Sequence, residues 1–423
     1  MLSTIRDAWK MPDLRKRFLF TILMLIIYRG GSFIPVPYIN KEAVKLMVSR
    51  GSLFGFFDIL SGGAFANFTI FAMGVIPYIN SSIIFSLLAI AIPKLEQMQK
   101  EGEEGRKKIA QYTRYGTIVL GLIQAFSISL LLRNQNALIK TGAFYIFIII
   151  LTLIAGTSFL MWLGERITDK GIGNGISLII FIGIISRYPS MVATVGNLLS
   201  TKTTNWLEVI LLLVLIIFMI AAVVTMDMAE RRVPVQYAKK VVGRKMYGGQ
   251  STHIPINVNS SSVIAIIFAM SIMQFPQTIA AFFPDASWTK AFLTGGWFSV
   301  SSWIYLTIYF LLVIFFTWFY TGVTFDTKEM ADNMKKYGGF VPGIRPGKPT
   351  MDYVQTIVNR ITLIGGIFAG IIALTPYLLD KYTGLKGLYF GGTSILIVVG
   401  VALETAKQVE AQMTMRNYQG FLR

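Results

Sequence analysis

Ten long apolar stretches punctuate this 423-residue chain, and few architectures can house that many. They lie roughly at 18–35, 68–92, 116–132, 143–163, 175–186 with its continuation, 206–226, 263–283, 303–323, 361–379 and 388–403. Most approach the ~20 residues with which a helix crosses ~30 Å of hydrocarbon. A backbone in lipid must satisfy its own hydrogen bonds, so the stretches are predicted to be ten transmembrane helices. Length alone would suggest two or three soluble domains. A chain that is 54% hydrophobic and only 14% charged cannot clothe their surfaces.

The basic residues between the stretches set the orientation. Of 39 Lys and Arg, 28 fall at the N-terminus or in the gaps after stretches 2, 4, 6, 8 and 10. By the positive-inside rule these gaps are cytoplasmic, and both termini lie on that side. The net charge of +18 is therefore concentrated on the inner face, where it suits anionic lipid and acidic protein or RNA partners. Residues 1–30 have the basic start and apolar run of a signal peptide. Nine further spans follow and no small-x-small cleavage site is evident, so a retained first helix is expected.

Residues 1–17 mix Leu2, Ile5, Trp9 and Met11 with Arg6, Lys10, Arg15 and Arg17, the pattern of a short amphipathic helix on the cytoplasmic surface. Between stretches 1 and 2, residues 53–66 are apolar but short, and Asp58 and Gly62-Gly63 interrupt them. Two readings stand: a re-entrant, half-inserted segment, or an outer loop with a hydrophobic patch. The largest inner loops, 227–262 and 324–360, carry Pro, Gly and basic pairs such as Arg231-Arg232 and Lys335-Lys336. Alternation over 233–242 permits a strand and hairpin. These loops either serve a partner or form a solvated basic rim. Ten helices divide into five and five, so the second half would enter from the opposite side, as an inverted repeat requires.

Chemistry is sparse. No Asp, Glu, Lys or Arg lies between Arg114 and Arg133, Lys170 and Arg187, His253 and Asp285, or Arg360 and Asp380. Ion-coupled carriers need buried ionisable groups, so a secondary transporter is disfavoured. Arg29, beside Gly30-Gly31, is the exception and is expected to snorkel outward or pair. The chain has no cysteine and one histidine, His253, which leaves no thiolate site and no metal cluster. A solvated or locally bonded imidazole is the expectation for His253. Gly171-Ile172-Gly173-Asn174-Gly175 fails as a dinucleotide fingerprint because Ile176 follows and a transmembrane helix precedes it. Gly347-Lys348 fails as a P-loop because Pro349 replaces Ser or Thr. The chain is therefore expected to bind no nucleotide and to draw energy from a partner. A structural scaffold would share the basic loops but would need no apolar constriction. Gly74, Pro77, Pro276, Gly365, Gly366 and Gly370 place helix breakers or small residues at membrane depth, permitting close packing or bending.

Several blocks carry a resemblance: GGAFANFTIFAMGVIPYINSSII (62–84), KEGEEGRKKIAQYTRYGT (100–117), FLMWLGERITDKGIGNGIS (159–177), QSTHIPINVN (250–259), FVPGIRPGKPT (340–350) and YFGGTSILIVV (389–399). In this order they resemble bacterial SecY, the family of large subunits of protein-conducting channels, over nearly the whole chain. The resemblance implies an all-α polytopic membrane protein, with ten transmembrane helices in two inverted five-helix halves around an hourglass pore. It divides the chain into a cytoplasmic N-terminus (1–17), an N-terminal half (18–200), a C-terminal half (201–405) and a cytoplasmic tail (406–423).

It further implies a pore ring of Val75, Ile79, Ile176, Ile180, Ile267 and Ile397, with 75/79 and 176/180 each one helical turn apart. Val75 stands where isoleucine is common, which should widen the ring slightly. A plug at about 57–67 would comprise Phe57, Asp58, Ile59, Leu60, Ser61, Gly62, Gly63, Ala64, Phe65, Ala66 and Asn67. Gln124 and Ser271 would be polar members of a lateral gate between helices 2 and 7. Arg244, Lys245 and Arg345 would dock an ATPase or ribosome. The implied partners are SecE, SecG, the ATPase SecA and ribosomes, with secretory preproteins and signal peptides as cargo in a bacterial cell membrane. No cofactor or metal is implied.

Overall fold

A computed structural model describes residues 9–50, 58, 61–201, 205–237, 240–242, 245–247, 251–258, 262–282, 302–382 and 392–420. Each of the ten apolar stretches overlaps a helix among the described residues. The first half contains α1 (Pro12–Gly31), α2 (Lys41–Arg50), α3 (Ile76–Ala91), α4 (Pro93–Lys100), α5 (Glu103–Asn134), α6 (Ala143–Lys170), α7 (Gly175–Ile185) and α8 (Tyr188–Ser200). The second contains α9 (Trp206–Met228), strands β1 (Glu230–Tyr237), β2 (Lys240–Val242), β3 (Lys245–Tyr247) and β4 (Ser251–Asn257), then α10 (Ser262–Phe282) and α11 (Trp303–Thr324). Helix α12 (Thr327–Lys336), strand β5 (Gly339–Phe340), α13 (Lys348–Tyr382) and α14 (Gly392–Gly420) complete it. Among the described residues, seven helical runs are long and apolar enough to cross a membrane, or eight if α3 and α4, bent by 101°, count as one. Helices α1 and α10, at 20 and 21 residues, also have the length to span.

Stretch 2 departs from expectation. Residues 68–75 are turns, not helix. Phe68 and Gly74 have positive φ, 42° and 57°, which an α-helix cannot contain. The helix starts only where Pro77, in its first turn, has no N–H left to satisfy,. The irregular backbone is tied instead to the chain leaving α1: Val36 donates to the Phe68 carbonyl at 2.9 Å, and Ile70 to that of Ile34 at 3.0 Å. Such pairing is what permits non-helical backbone inside a membrane protein.

The basic N-terminal segment also differs in detail. Helix α1 opens at Pro12, so residues 12–17 are its first turns. Leu14 is buried with Ile172 and Val409, and Met11, Phe18 and Met413 pack against them. Residues 1–8, including Leu2, Ile5 and Arg6, lie outside the described residues.

Helix α5 packs between α3 and α6, and α11 packs on α10 and α13. Within lipid, helix association rests on close packing rather than on exclusion of water. The two halves meet along a seam where α10 touches α3 and α5, and α14 touches α7. One core lies in the second half around Met219, Phe268, Tyr309, Val313 and Leu396. Another lies under the outer segment of the first half around Val36, Phe65, Phe68, Leu132 and Ile149.

The two large loops, 227–262 and 324–360, pair through their strands. Strand β1 pairs antiparallel with β4 on one side, Val233 opposite Ile254, and with β5 on the other, Gln236 opposite Phe340. The strand expected near 233–242 is thus present, with β2 and β3 forming a separate ladder. Contact with β5, from the second loop, has no signal in a two-residue strand. Val233, Val235, Ile256, Met334, Val341, Val354 and Val358 form a small core beneath this sheet. His253 is exposed on β4.

Candidate functional site

The six aliphatic residues expected to form a ring come from four separate helices and converge in one hydrophobic cluster. Val75, Ile180 and Ile397 are buried in it at 3%, 3% and 2% exposure, and Ile79, Ile176 and Ile267 pack against it. Val75 is the N-cap of α3 rather than an interior residue, with φ −96° and ψ 6°. Its carbonyl still accepts the Ile79 N–H at 3.0 Å, so 75 and 79 share one face. Helices α3 and α7 come from the first half, α10 and α14 from the second. The cluster therefore spans the seam.

A glycine-rich turn places Ile176. Asn174 caps α7, its Oδ1 accepting the N–H groups of Ile176 at 3.1 Å and Ser177 at 3.3 Å,. A Cβ on Gly175 would stand 2.0 Å from the carbonyl oxygen of Gly164. Only glycine lets α7 start this close to α6. The motif that fails as a nucleotide loop is thus a packing device that sets Ile176 against the cluster.

The outer segment expected to act as a plug lies against this cluster. Ala64 belongs to it directly. Asp58 and residues 61–67 are described, whereas Phe57, Ile59 and Leu60 lie outside the described residues. Ser61, Gly62, Ala64 and Phe65 are buried, Gly63 and Ala66 half-buried and Asn67 exposed. The segment is a chain of turns held by its surroundings. Tyr28 Oη donates to the Ser61 carbonyl at 3.3 Å, and Arg29 Nη1 and Ser186 Oγ donate to the Gly62 carbonyl at 3.1 and 3.4 Å. Arg29 therefore pairs, as one of its two expected fates required, and its Cζ also lies 5.4 Å from the Phe33 ring centroid. Gly62 has φ +66°, and a Cβ there would lie 2.6 Å from Cα of Gly183.

Arg187 is the site residue that sequence reasoning missed. Its Nη1 lies 2.8 Å from Oδ2 of Asp58. No local pattern links them, and Arg187 reads as the charged end of an apolar run. Two charges bracketing otherwise apolar depth, Asp58 and Arg187, were the available signal.

Gln124 is half-buried on α5 and Ser271 is buried on α10, two helices in contact across the seam. Asn80, on α3, is buried with no hydrogen-bond partner for Oδ1 among the described residues. Arg345 is exposed in the loop between β5 and α13, where Thr350 Oγ1 donates to its carbonyl at 2.9 Å. Lys245 lies in β3, and Arg244 lies outside the described residues. Lys100 at the end of α4 pairs with Glu96 at 2.6 Å. That hydrogen bond raises its pKa, and Asp326, which caps α12 in the other half, adds to the effect.

A family model described as SecY matches residues 69–406. Protein translocase subunit SecY of Thermotoga maritima is 44% identical over 436 residues, covering all of this chain and 98% of its own. The subunit of the same name from Halalkalibacterium halodurans is 45% identical over the full length of both. Among solved structures, one described as a protein conducting channel superposes with a TM-score of 0.68 at 19% identity, covering 97% of each chain. Sec61 in a canine ribosome-channel complex superposes at 0.63 and 18% identity, again over 97% of each.

Proposed function

This chain belongs to the SecY family, and from that premise we propose that its central cluster is the constriction of a passive, gated polypeptide channel. The channel conducts unfolded secretory chains across the membrane and releases apolar segments sideways into lipid. The observation that carries the reading is the convergence of Val75, Ile79, Ile176, Ile180, Ile267 and Ile397 in one cluster with Ala64 of the plug against it. Branched aliphatic side chains offer no charge to hold a passing chain, and when closed they exclude water and ions. A plug of residues 57–67 adds a second barrier on the outer side. The ties from Tyr28, Arg29 and Ser186 to its carbonyls support a seated, closed state.

Release into lipid requires the seam to part where α3 and α10 touch. A signal peptide or transmembrane segment that slides between them gains roughly 25 cal/mol per Å² of apolar area removed from water. Hydrophilic segments have no such gain and continue through the ring. Gln124 and Ser271 are the polar members of this gate, of the kind that can hydrogen-bond across a helix interface and hold it closed until a segment enters.

The decisive experiment is site-specific crosslinking. The chain has no cysteine, so Ile79→Cys and Ile267→Cys each introduce a single reactive position. A stalled secretory polypeptide carrying a thiol probe will crosslink to both. Failure at both positions, with crosslinks appearing only on lipid-facing helices, removes the constriction from this site.

The ATPase SecA or a ribosome supplies the push at the basic inner loops, and the channel itself hydrolyses nothing. SecE and SecG are its membrane partners in the bacterial cell membrane, with both termini cytoplasmic. Arg345 is exposed at a loop fastened by the Thr350 bond, a fixed cation suited to an acidic partner surface. Arg345→Glu will lower ATPase-driven export by about tenfold while membrane insertion and thermal stability stay unchanged. Native export rates in proteoliposomes would take Arg345 out of the docking site. Arg244 and Lys245 are proposed for the same role on the neighbouring loop.

A further inference from the structure

Arg187 plays no part in the channel chemistry above, yet its position is costly. It stands at the break between α7 and α8. Helix α7 has 11 residues, about 17 Å at 1.5 Å per residue, too short to cross ~30 Å of hydrocarbon alone, so Arg187 stands inside the Gly175–Ser200 run that is long and apolar enough to span rather than at its end. An arginine at such depth needs a partner. Nη1 lies 2.8 Å from Oδ2 of Asp58, whose side chain is 1% exposed, against 22% for Arg187. Among the described residues neither of these two atoms has a hydrogen-bond partner, so the ion pair is the contact that answers both.

The second oxygen of Asp58 turns inward. Oδ1 accepts the Ala66 N–H at 2.7 Å, and the Asp58 carbonyl accepts the Gly63 N–H at 2.8 Å. One carboxylate thus fastens the turns of the plug with one oxygen and faces the channel wall with the other. The remaining ties to the wall from Tyr28, Arg29 and Ser186 end on backbone carbonyls, which water can satisfy once the plug moves. Among the described residues, the Asp58–Arg187 pair is the only charge-to-charge contact between plug and wall.

We infer that Arg187 is a positioning residue that latches the plug shut through Asp58. This rests on the plug reading proposed above. Displacing the plug separates the pair, and both charges then reach water in the outer vestibule. Removing one member leaves the other buried and unpaired in the seated state, which favours displacement. Removing both lifts that penalty.

The test is resting conductance of the purified full-length channel in planar bilayers. Asp58→Asn and Arg187→Gln will each raise resting open time about tenfold, Arg187→Lys will stay within about threefold of native, and the double neutral variant will leak less than the product of the two single effects. Single variants within about twofold of native, or single effects that multiply in the double, overturn the latch. Deleting residues 61–67 separates this from the reading beneath it. A leaking deletion with silent single variants sinks the latch alone, whereas a tightly closed deletion sinks the plug. A second measurement covers variants too poorly behaved for recording. Ala64→Cys, at a position 1% exposed in the native chain, will react with a membrane-impermeant thiol reagent about tenfold faster when Arg187 is Gln than when it is Arg or Lys. Equal rates in all three backgrounds overturn the proposal.

Discussion

Replacing Ile176, Ile180 and Ile267 together by serine will raise the resting ion conductance of the reconstituted channel by about tenfold or more. These residues come from both sides of the seam and share a cluster with Val75 and Ile397. Closing the ring removes branched side chains from water, and each fully buried isoleucine is worth about 1.5–3 kcal/mol. For the whole ring the closed state therefore gains on the order of 10 kcal/mol from contact with itself. Serine forfeits that contact and offers hydroxyls that bind water, so a dry constriction becomes a wet one. The proposed plug would still cover the outer side, which makes the expected leak large but incomplete. Adding the 61–67 deletion should make the two leaks combine. An unchanged conductance in the triple variant, with normal thermal stability, would show that the seal lies elsewhere.

The largest stability effect is expected from one added methyl group. Gly175→Ala will destabilise the protein by about 3 kcal/mol and reduce folded yield, because overpacking against backbone has no side chain to yield. The added Cβ would meet the Gly164 carbonyl at 2.0 Å, the Gly164 carbonyl carbon at 2.8 Å and Ile167 Cβ at 2.8 Å. Relief requires α7 to move away from α6, taking Ile176 and Ile180 with it. The variant that folds will therefore also leak. Gly196→Ala is the matched control: nothing lies within 4 Å of its Cβ position, and helix α8 should be neutral to the change or gain a few tenths of a kcal/mol. Thermal unfolding in detergent reads both. Equal midpoints for the two variants would mean that the α6–α7 contact relaxes without cost.

Hydropathy made the membrane helices legible because lipid leaves the backbone no alternative. It could not separate residues 68–75 from α3, since turns that pair with residues 34–36 are as apolar as the helix they precede. Periodicity could not identify the ring either. Ile176 and Ile180 share a face with many other aliphatic positions on a helix that is apolar throughout, and the resemblance alone distinguished them. Arg29 was legible as a charge needing a partner, but the Gly62 carbonyl that receives it is a backbone atom without sequence signature. Asp58 and Arg187 were visible separately. Their union depends on a tertiary fold that brings an outer loop onto the end of α7.

The inner sheet has a consequence for force. Strand β1 continues directly from α9, β4 leads through a short connection into α10, and β5 joins them from the loop that carries Arg345. A load applied at that loop cannot act on it alone: it is geared through β1 and the buried valines beneath it to the ends of α9 and α10, the second of which borders the proposed exit to lipid. A motor that pulls or leans on the inner face would thereby strain the sideways door with the same stroke that feeds the bore.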